Sequence, residues 1–349
     1  MIKITSFNTY WPVNIGNAFI DLGSMQSIKA AMPESIIYLI SNYPRMLFEK
    51  KLRNPLEMVV EKAYRNQAIK KLNQKATYVK IKFVKRDKIL KDPNNGIEKY
   101  CFDLGEAIKS DYAIFSGMIL WDTFIRRHKS TILALKKKNV KIIFNGVGGP
   151  FYSENEIMIV RKFLKEVGLY AFVSRDEMAF KCYQDLAEHS YNGIDCAFFV
   201  NDHYTPPKLE IPEYVILNFD KLTEPKINLT DKLVIRTHHY SSEIYTTPKR
   251  YFAMPNTLIS DSPYDYLALY SNTSATFSDR VHACIVTLSY ARPSRLFVGD
   301  DAEILNRMLL FKKVGADNIA SKITYPDTGK IEKEKENQVK FLFQILARA

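Results

Sequence analysis

Arg280 and His282 stand in the stretch SATFSDRVHACIVTLSYARPSRLF, where an apolar run gives way to an apolar helix, with Asp279 beside them. A turn between two buried elements is ordinarily small and neutral, so these groups suit a partner. A helix start offers unpaired N–H groups and a partial positive charge, and a guanidinium there can grip phosphate or carboxylate through paired hydrogen bonds. His282 titrates near neutrality and could exchange a proton with a substrate. Residues i and i+2 diverge on a regular helix, so both reach one ligand only if the turn is irregular. The plain alternative is a histidine satisfied inside the fold.

Other loops supply further groups. FVSRDEMAF brings Arg175 to the end of a strand, with Asp176 placed to cap the next helix. A local Arg–Asp pair, worth little if exposed, is the competing reading. NTYWPVNIGNAFIDLG holds Asn14, Gly16 and Asn17 between a strand and a helix. Gly16 would let backbone approach a ligand closely, or Asn17 would simply cap the helix. YAIFSGMILWD ends a strand in Ser116 and Gly117, followed by Asp122, a helix cap or a carboxylate that handles a sugar hydroxyl. FNGVGGPFYSEN carries Gly146, Gly148 and Gly149 but misses the GxGxxG spacing, because Phe151 stands at the last glycine position. Arg236, His238 and His239 in LVIRTHHY read as loop residues first. Adjacent histidines point apart, and no carboxylate stands at metal-ligand spacing. No metal is expected.

The elements that would position these groups alternate along the chain. MIKITSFNTY, SIIYLIS, YVKIKFV, YAIFSG, VKIIFNGV, YAFVSRD and GIDCAFFV read as strands. AFIDLGSMQSIKAAM, DTFIRRHKSTILALKKK, ENEIMIVRKFLKEVG and EMAFKCYQDLAEH read as helices between them. Such alternation favours parallel sheets covered on both faces. NDHYTPPKLEIPE has three prolines and no periodicity, a linker over 201–213. A second alternating unit follows: YVILNFD, KLVIRTHHY, TLISD, the helix YDYLALYSN, ATFSD, the helix RVHACIVTLSYA and SRLFVG. The expected division is thus an N-terminal domain over 1–200, a C-terminal domain over 214–330 and an amphipathic helix over 331–349. In that last helix Val339, Leu342 and Leu346 share a face that needs something to pack on, the first domain being the candidate. Two α/β domains facing one cleft is the economical architecture, with ligands beyond the carboxyl ends of the strands.

Length and composition agree with this division. At 349 residues the chain exceeds what one core normally organises, and 46% apolar with 25% charged residues is ordinary for a globular protein. No apolar run is long enough to span a bilayer, and MIKITSFNTYW lacks the features of a signal peptide. Cys101, Cys182, Cys196 and Cys284 form no CxxC pair, as expected of buried thiols in a reducing compartment. The expected location is cytoplasmic. The net charge of +12 points to anionic partners: a phosphorylated substrate, a nucleotide, a membrane surface or nucleic acid. Much of the excess lies in KKLNQKATYVKIKFVKRDK and LKKKNVK, which read mainly as solvated faces. No helix-turn-helix, zinc-finger or RRM signature turns the charge into nucleic-acid binding.

Taken in order, these loops resemble the polysaccharide pyruvyl transferase family. Asn14-Ile15-Gly16-Asn17 is similar to its N-x-G-D turn, with Asn in place of Asp. Ser116-Gly117 and Asp122 are similar to its glycine-bearing strand end and following aspartate. Val173-Ser174-Arg175-Asp176 resembles its vRD element with one extra residue, and Asp195-Cys196-Ala197-Phe198 resembles its DPaF. Tyr264 to Leu269 resembles its dyl helix. Ser278 to Ala283, followed by Pro293, resembles its s-x-R-x-H-a signature, the most specific of these matches. The aspartate–lysine element expected after Pro293 is not recognisable in FVGDDAEIL.

The resemblance implies a GT-B-like fold, two Rossmann-like domains with parallel sheets facing an inter-domain cleft. It also implies transfer of the carbon skeleton of phosphoenolpyruvate (PEP) onto two hydroxyls of a saccharide as a cyclic ketal. PEP would be the donor substrate, with no further cofactor. A lipid-linked acceptor would bring the enzyme into peripheral contact with the inner face of the membrane. In that chemistry Arg175 and Arg280 clamp the donor's anionic groups, which guanidinium suits. His282 is the acid/base and Asp122 a hydroxyl base or orienter, with Asn14, Gly16, Asn17, Ser116 and Gly117 contributing to binding. The alternatives are a GT-B glycosyltransferase using a nucleotide sugar, against which the second domain has no Glu-x7-Glu pair, and a non-catalytic sugar-binding relative.

Overall fold

The computed structural model describes residues 1–52, 101–229, 232–239, 251, 253–299 and 302–347. YVKIKFV and the lysine-rich stretch around it lie outside these residues. Strands β1 (Lys3–Phe7), β2 (Ile36–Ile40), β3 (Tyr112–Met118), β4 (Lys141–Gly148), β5 (Leu169–Ser174) and β6 (Ala187–Asn192) form one sheet. Its order is β2-β1-β3-β4-β5-β6 and every pairing is parallel. Helices α1 (Gly16–Ala31), α2 (Tyr43–Leu52), α3 (Leu104–Ala107), α4 (Asp122–Lys137), α5 (Glu154–Val167) and α6 (Glu177–Tyr183) accompany it. Residues 112–117 and 169–174 are buried throughout, which is why they appear in the sequence as unbroken apolar runs.

After a 3₁₀ turn at Cys196–Phe199 and the short helix α7 (Val200–His203), a second sheet begins. It comprises β7 (Tyr214–Asn218), β8 (Leu233–Thr237), β9 (Thr257–Leu258), β10 (Ala275–Ser278) and β11 (Ser294–Leu296). The order is β11-β10-β7-β8-β9, again all parallel. Helices α8 (Pro263–Asn272), α9 (Val281–Ser289) and α10 (Ala302–Lys312) belong to this half, and α11 (Thr328–Leu346) is the last helix among the described residues. Two Rossmann-like α/β units in a GT-B-like arrangement are therefore present. In each sheet the chain reverses its direction of winding at one crevice, between β1 and β3 and between β7 and β10. Those crevices are where doubly wound sheets bind ligands.

The two halves share an apolar core. Phe19, Ile20 and Leu22 of α1 join Phe198 and Phe199, Tyr266 and Tyr270 of α8, and Ile285 and Leu288 of α9 in one buried cluster. Almost all of α9 is buried, in keeping with a helix apolar around its whole circumference. Helix α11 turns back to the first sheet: Leu342, Ile345 and Leu346 pack with Ile4, Ile28, Tyr112 and Ile114. The Tyr170 hydroxyl donates to the Ile345 carbonyl at 2.6 Å.

Two element expectations are corrected. GIDCAFFV is not a strand but the 3₁₀ turn leading into α7. It is fully buried under α1, so closely that a Cβ on Gly23 would fall 1.8 Å from the Cys196 carbonyl oxygen. A buried apolar run does not by itself distinguish strand from helix or turn. EMAFKCYQDLAEH is not one helix: α6 ends at Tyr183, a 3₁₀ turn covers Gln184–Leu186, and β6 starts at Ala187. As a half-exposed edge strand, β6 lacks the apolar signature of its neighbours.

Candidate active site between the two sheets

Both crevices open onto one cavity of about 190 Å³. From the first half it is lined by Asn14, Asn17, Ile20, Met118, Gly149, Pro150, Arg175 and Asp176. Lys221, His239, Arg280, Val281, His282, Asn306, Arg307 and Leu310 come from the second. The cations Arg175, Lys221, Arg280 and Arg307 face Asp176, the one lining carboxylate among the described residues. The first turns of α1 and α9 also meet here.

The turn before α9 is irregular, as the Arg280–His282 spacing requires. Arg280 is the extended residue before the helix, with φ −111° and ψ 118°. Ser278 holds it, its hydroxyl accepting the Arg280 N–H at 2.8 Å. Asp279 is structural: its carboxylate accepts the backbone N–H groups of Asp220, Lys221 and Leu222 at 3.1, 2.6 and 2.7 Å, fastening the loop after β7.

Each of the cavity arginines Arg175 and Arg280 is backed by a buried aspartate. Arg175 Nη1 donates to Asp195 Oδ2 at 3.0 Å, while its Nε has no protein partner among the described residues. Arg280 Nε lies 3.5 Å from Asp220 Oδ2. Asp195 also sits 3.5 Å from His282 Nε2. Asp220 holds His238 Nδ1 at 3.0 Å and accepts the His239 N–H at 3.0 Å. Burial works to raise the Asp195 carboxyl, but His282, Arg175 and the Ala197 N–H more than offset it and hold the group at about 2. Asp220 is likewise lowered despite its burial, by His238 and Arg280.

The histidines differ. Burial pulls His282 below the ordinary histidine value against the opposing pull of Asp195, so the ring is neutral near pH 7. Burial pulls His239 further, to about 3, and its Nε2 is 2.7 Å from the Tyr270 hydroxyl. His239 is therefore a neutral wall of the cavity near pH 7. Neither Asp195 nor Asp220 stood out as a site residue in the sequence, because their value lies in what distant segments bring to them. The Asp195-Cys196-Ala197-Phe198 motif was the one available signal for the first.

The remaining expected site residues divide. Asn14 Oδ1 accepts the Gly16 N–H at 3.1 Å, so Asn14 rather than Asn17 tends the start of α1. Asn17 Oδ1 accepts from Asn14 Nδ2 at 3.3 Å. Both asparagines line the cavity. Gly16 permits a close approach between protein elements, since a Cβ there would lie 3.0 Å from His239 Nδ1. Ser116, Gly117 and Asp122 are not among the lining residues. The Ser116 hydroxyl donates to Ser24 at 2.7 Å inside the core. Gly117 adopts φ +84°, a turn conformation that favours glycine. Asp122 pairs with Arg126 at 3.1 Å near the surface of α4.

Comparison with known proteins decides the family. The sequence profile of the polysaccharide pyruvyl transferases matches residues 29–301. The chain belongs to the polysaccharide pyruvyl transferase family. Membership makes it a transferase acting in pyruvyl transfer. Arg175, Asp195, Arg280 and His282 lie inside the matched stretch, whereas Asn14, Gly16 and Asn17 precede it. No curated protein matches the chain. Solved structures to which the chain is similar include UDP-GlcNAc 2-epimerase from Neisseria meningitidis bound to UDP-GlcNAc, at 12% identity and a TM-score of 0.48 over 100% of both chains. UDP-N-acetylglucosamine 2-epimerase from Rickettsia bellii follows at 12% identity and TM-score 0.46, over 100% of this chain and 96% of that one. The S. aureus MnaA–UDP co-structure has 12% identity and TM-score 0.47, over 99% of this chain and 90% of that one. Among the described residues no cluster of His, Cys, Asp and Glu is arranged to hold a metal, and no helix is long and apolar enough to cross a membrane.

Proposed function

We propose that the cavity binds PEP and that the enzyme transfers its pyruvyl skeleton to two hydroxyls of a saccharide as a ketal. The observation that carries this reading is the convergence of Arg175 and Arg280, one from each sheet, on a small cavity also lined by His282. PEP presents a phosphate and a carboxylate on the same carbon, C2, and two guanidiniums backed by buried carboxylates match two anionic groups. The volume of about 190 Å³ lies below the roughly 300–1,000 Å³ of pockets that enclose drug-sized ligands. That size favours a three-carbon phosphate over a nucleotide sugar.

The chemistry follows from the groups present. The first sugar oxygen bonds to C2 of PEP while C3 takes a proton and becomes a methyl group. The C2–O bond to phosphate then breaks, leaving an oxocarbenium-like centre stabilised by the adjacent sugar oxygen. A second hydroxyl adds to it and loses its proton, giving the ketal and inorganic phosphate. His282, neutral before reaction, takes the first hydroxyl's proton and delivers it to C3, while the second hydroxyl's proton leaves on inorganic phosphate. Arg175 and Arg280 stabilise the charge that builds on the departing phosphate. The acceptor approaches over the rim formed by Met118, Lys221 and Arg307, where the 40% exposed Met118 offers an apolar surface to a sugar ring. A lipid-linked acceptor, with the enzyme at the inner face of the membrane, belongs to the same proposal.

Isothermal titration of the full chain against PEP and against UDP-, GDP- and CMP-sugars tests it. Saturable PEP binding without nucleotide-sugar binding is expected. Nucleotide-sugar binding in the absence of PEP binding would turn the assignment toward glycosyl transfer.

A further inference from the structure

The His282 ring has two nitrogens with different surroundings. Nε2 is buried and, among the described residues, its nearest acceptor is Asp195 Oδ2 at 3.5 Å, beyond a well-formed hydrogen bond. Yet the ring lines the cavity and its side chain is 16% exposed, which leaves Nδ1 as the nitrogen available to a substrate. Asp195 is wholly buried and pinned at both oxygens. Oδ1 accepts the Ala197 N–H at 2.9 Å, and Oδ2 accepts Arg175 Nη1 at 3.0 Å. The carboxylate therefore cannot turn away from the ring without giving up a partner.

A neutral imidazole holds one proton, and the group facing each nitrogen selects the tautomer. A lone pair on Nε2 would confront the Asp195 carboxylate in a desolvated place, whereas an Nε2–H meets an acceptor. We propose that Asp195 is a positioning residue that fixes His282 as the Nε2–H tautomer, so that Nδ1 exchanges the proton with substrate. This rests on reading the cavity as the pyruvyl-transfer site. At Nδ1 the ring accepts the sugar hydroxyl's proton as the oxygen bonds to C2, and the resulting imidazolium carries a proton on each nitrogen. Delivering the Nδ1 proton to C3 of PEP, which becomes the methyl group, returns the starting tautomer. Asp195 neither gains nor loses a proton. The present separation of 3.5 Å is longer than the roughly 2.7–3.2 Å of a good N–H···O bond. The pair therefore gains most when the ring becomes charged, and so strengthens as the reaction proceeds.

The direct test is ¹⁵N-histidine labelling of the full chain. His282 is assigned by its absence from the His282→Asn spectrum, and long-range ¹H–¹⁵N correlations are read above the titration of the ring. A protonated, pyrrole-type Nε2 and a pyridine-type Nδ1 are expected; the reverse pattern overturns the proposal. Asp195→Asn should lower kcat by as much as about 10⁴-fold, the cost when an orienting carboxylate no longer fixes a histidine tautomer, and disturb PEP affinity less. An unchanged kcat with weakened PEP binding would mean that Asp195 serves Arg175 alone, which also overturns it. If Asp195→Asn does not fold, the wild-type spectrum still decides. A wild-type ring protonated on Nε2, in a protein that neither binds nor consumes PEP, would instead sink the pyruvyl-transfer reading beneath it.

Discussion

Gly16 and His282 meet where two helices begin: a Cβ added to Gly16 would lie 3.3 Å from the His282 Cβ. It would also lie 3.0 Å from His239 Nδ1 and 3.2 Å from Asn14 Oδ1. None of these neighbours gives way easily, since His239 is anchored by Tyr270 and the His282 Cβ moves only with α9. Gly16→Ala should push α1 and α9 apart at the cavity, costing about 1–3 kcal/mol of stability and lowering kcat/KM. Urea unfolding and steady-state kinetics check this. An alanine variant with wild-type values in both would show that the contact is slack.

Arg175→Ala and Arg280→Ala should each weaken PEP binding by about 2–5 kcal/mol, roughly 30-fold or more. Each also strands a buried carboxylate, Asp195 or Asp220, so the melting temperature should fall. Calorimetric titration of folded protein separates the two effects. Undiminished PEP affinity in a less stable variant would make the arginine structural.

His282→Asn should keep most PEP affinity and lose turnover by roughly 10²–10⁴-fold, because an amide can hydrogen-bond but cannot titrate. Turnover and melting temperature are measured on one preparation. A destabilised but fully active protein would remove the histidine from the mechanism.

Asp122→Asn is expected to change kcat by only a few-fold. Its carboxylate pairs with Arg126 on α4 and does not line the cavity. A collapse of kcat in a stably folded Asp122→Asn protein would restore it as the hydroxyl base.

Asp21 predicts a pH dependence of stability. Burial raises its carboxyl from an ordinary 3.8 to about 7, against hydrogen bonds from Trp11 and Thr9. Between those values the folded chain holds a proton that the unfolded chain has lost. Stability from this group therefore falls as pH rises through the window, by at most about 1.4 kcal/mol per pH unit. The stability of Asp21→Asn relative to wild type should rise between pH 4 and pH 7 in denaturant titrations; a flat difference contradicts the buried acid.

Legibility in the sequence followed burial and range. Strands such as YAIFSG and YVILNFD were readable because parallel strands covered on both faces are unbroken apolar runs. β6 was not, since a half-exposed edge carries no such signal, and the buried turn at Cys196–Phe199 carried a misleading one. Arg175, Arg280 and His282 were readable because each stands at a strand-to-helix turn in an apolar setting. The aspartates behind them were not: Asp195 matters through Arg175 and His282, and Asp220 through Arg280 and His238. Such pairings arise only when the two sheets are brought together.

The return of α11 to the first sheet bears on how the protein is made. Ile4 and Ile28 emerge early from the ribosome, but their partners Leu342, Ile345 and Leu346 emerge after the whole second half has been synthesised. The N-terminal half therefore cannot complete its core as an independent unit during translation. Its apolar flank stays uncovered until the end, a long-range closure that slows folding and invites aggregation or chaperone capture of the nascent chain.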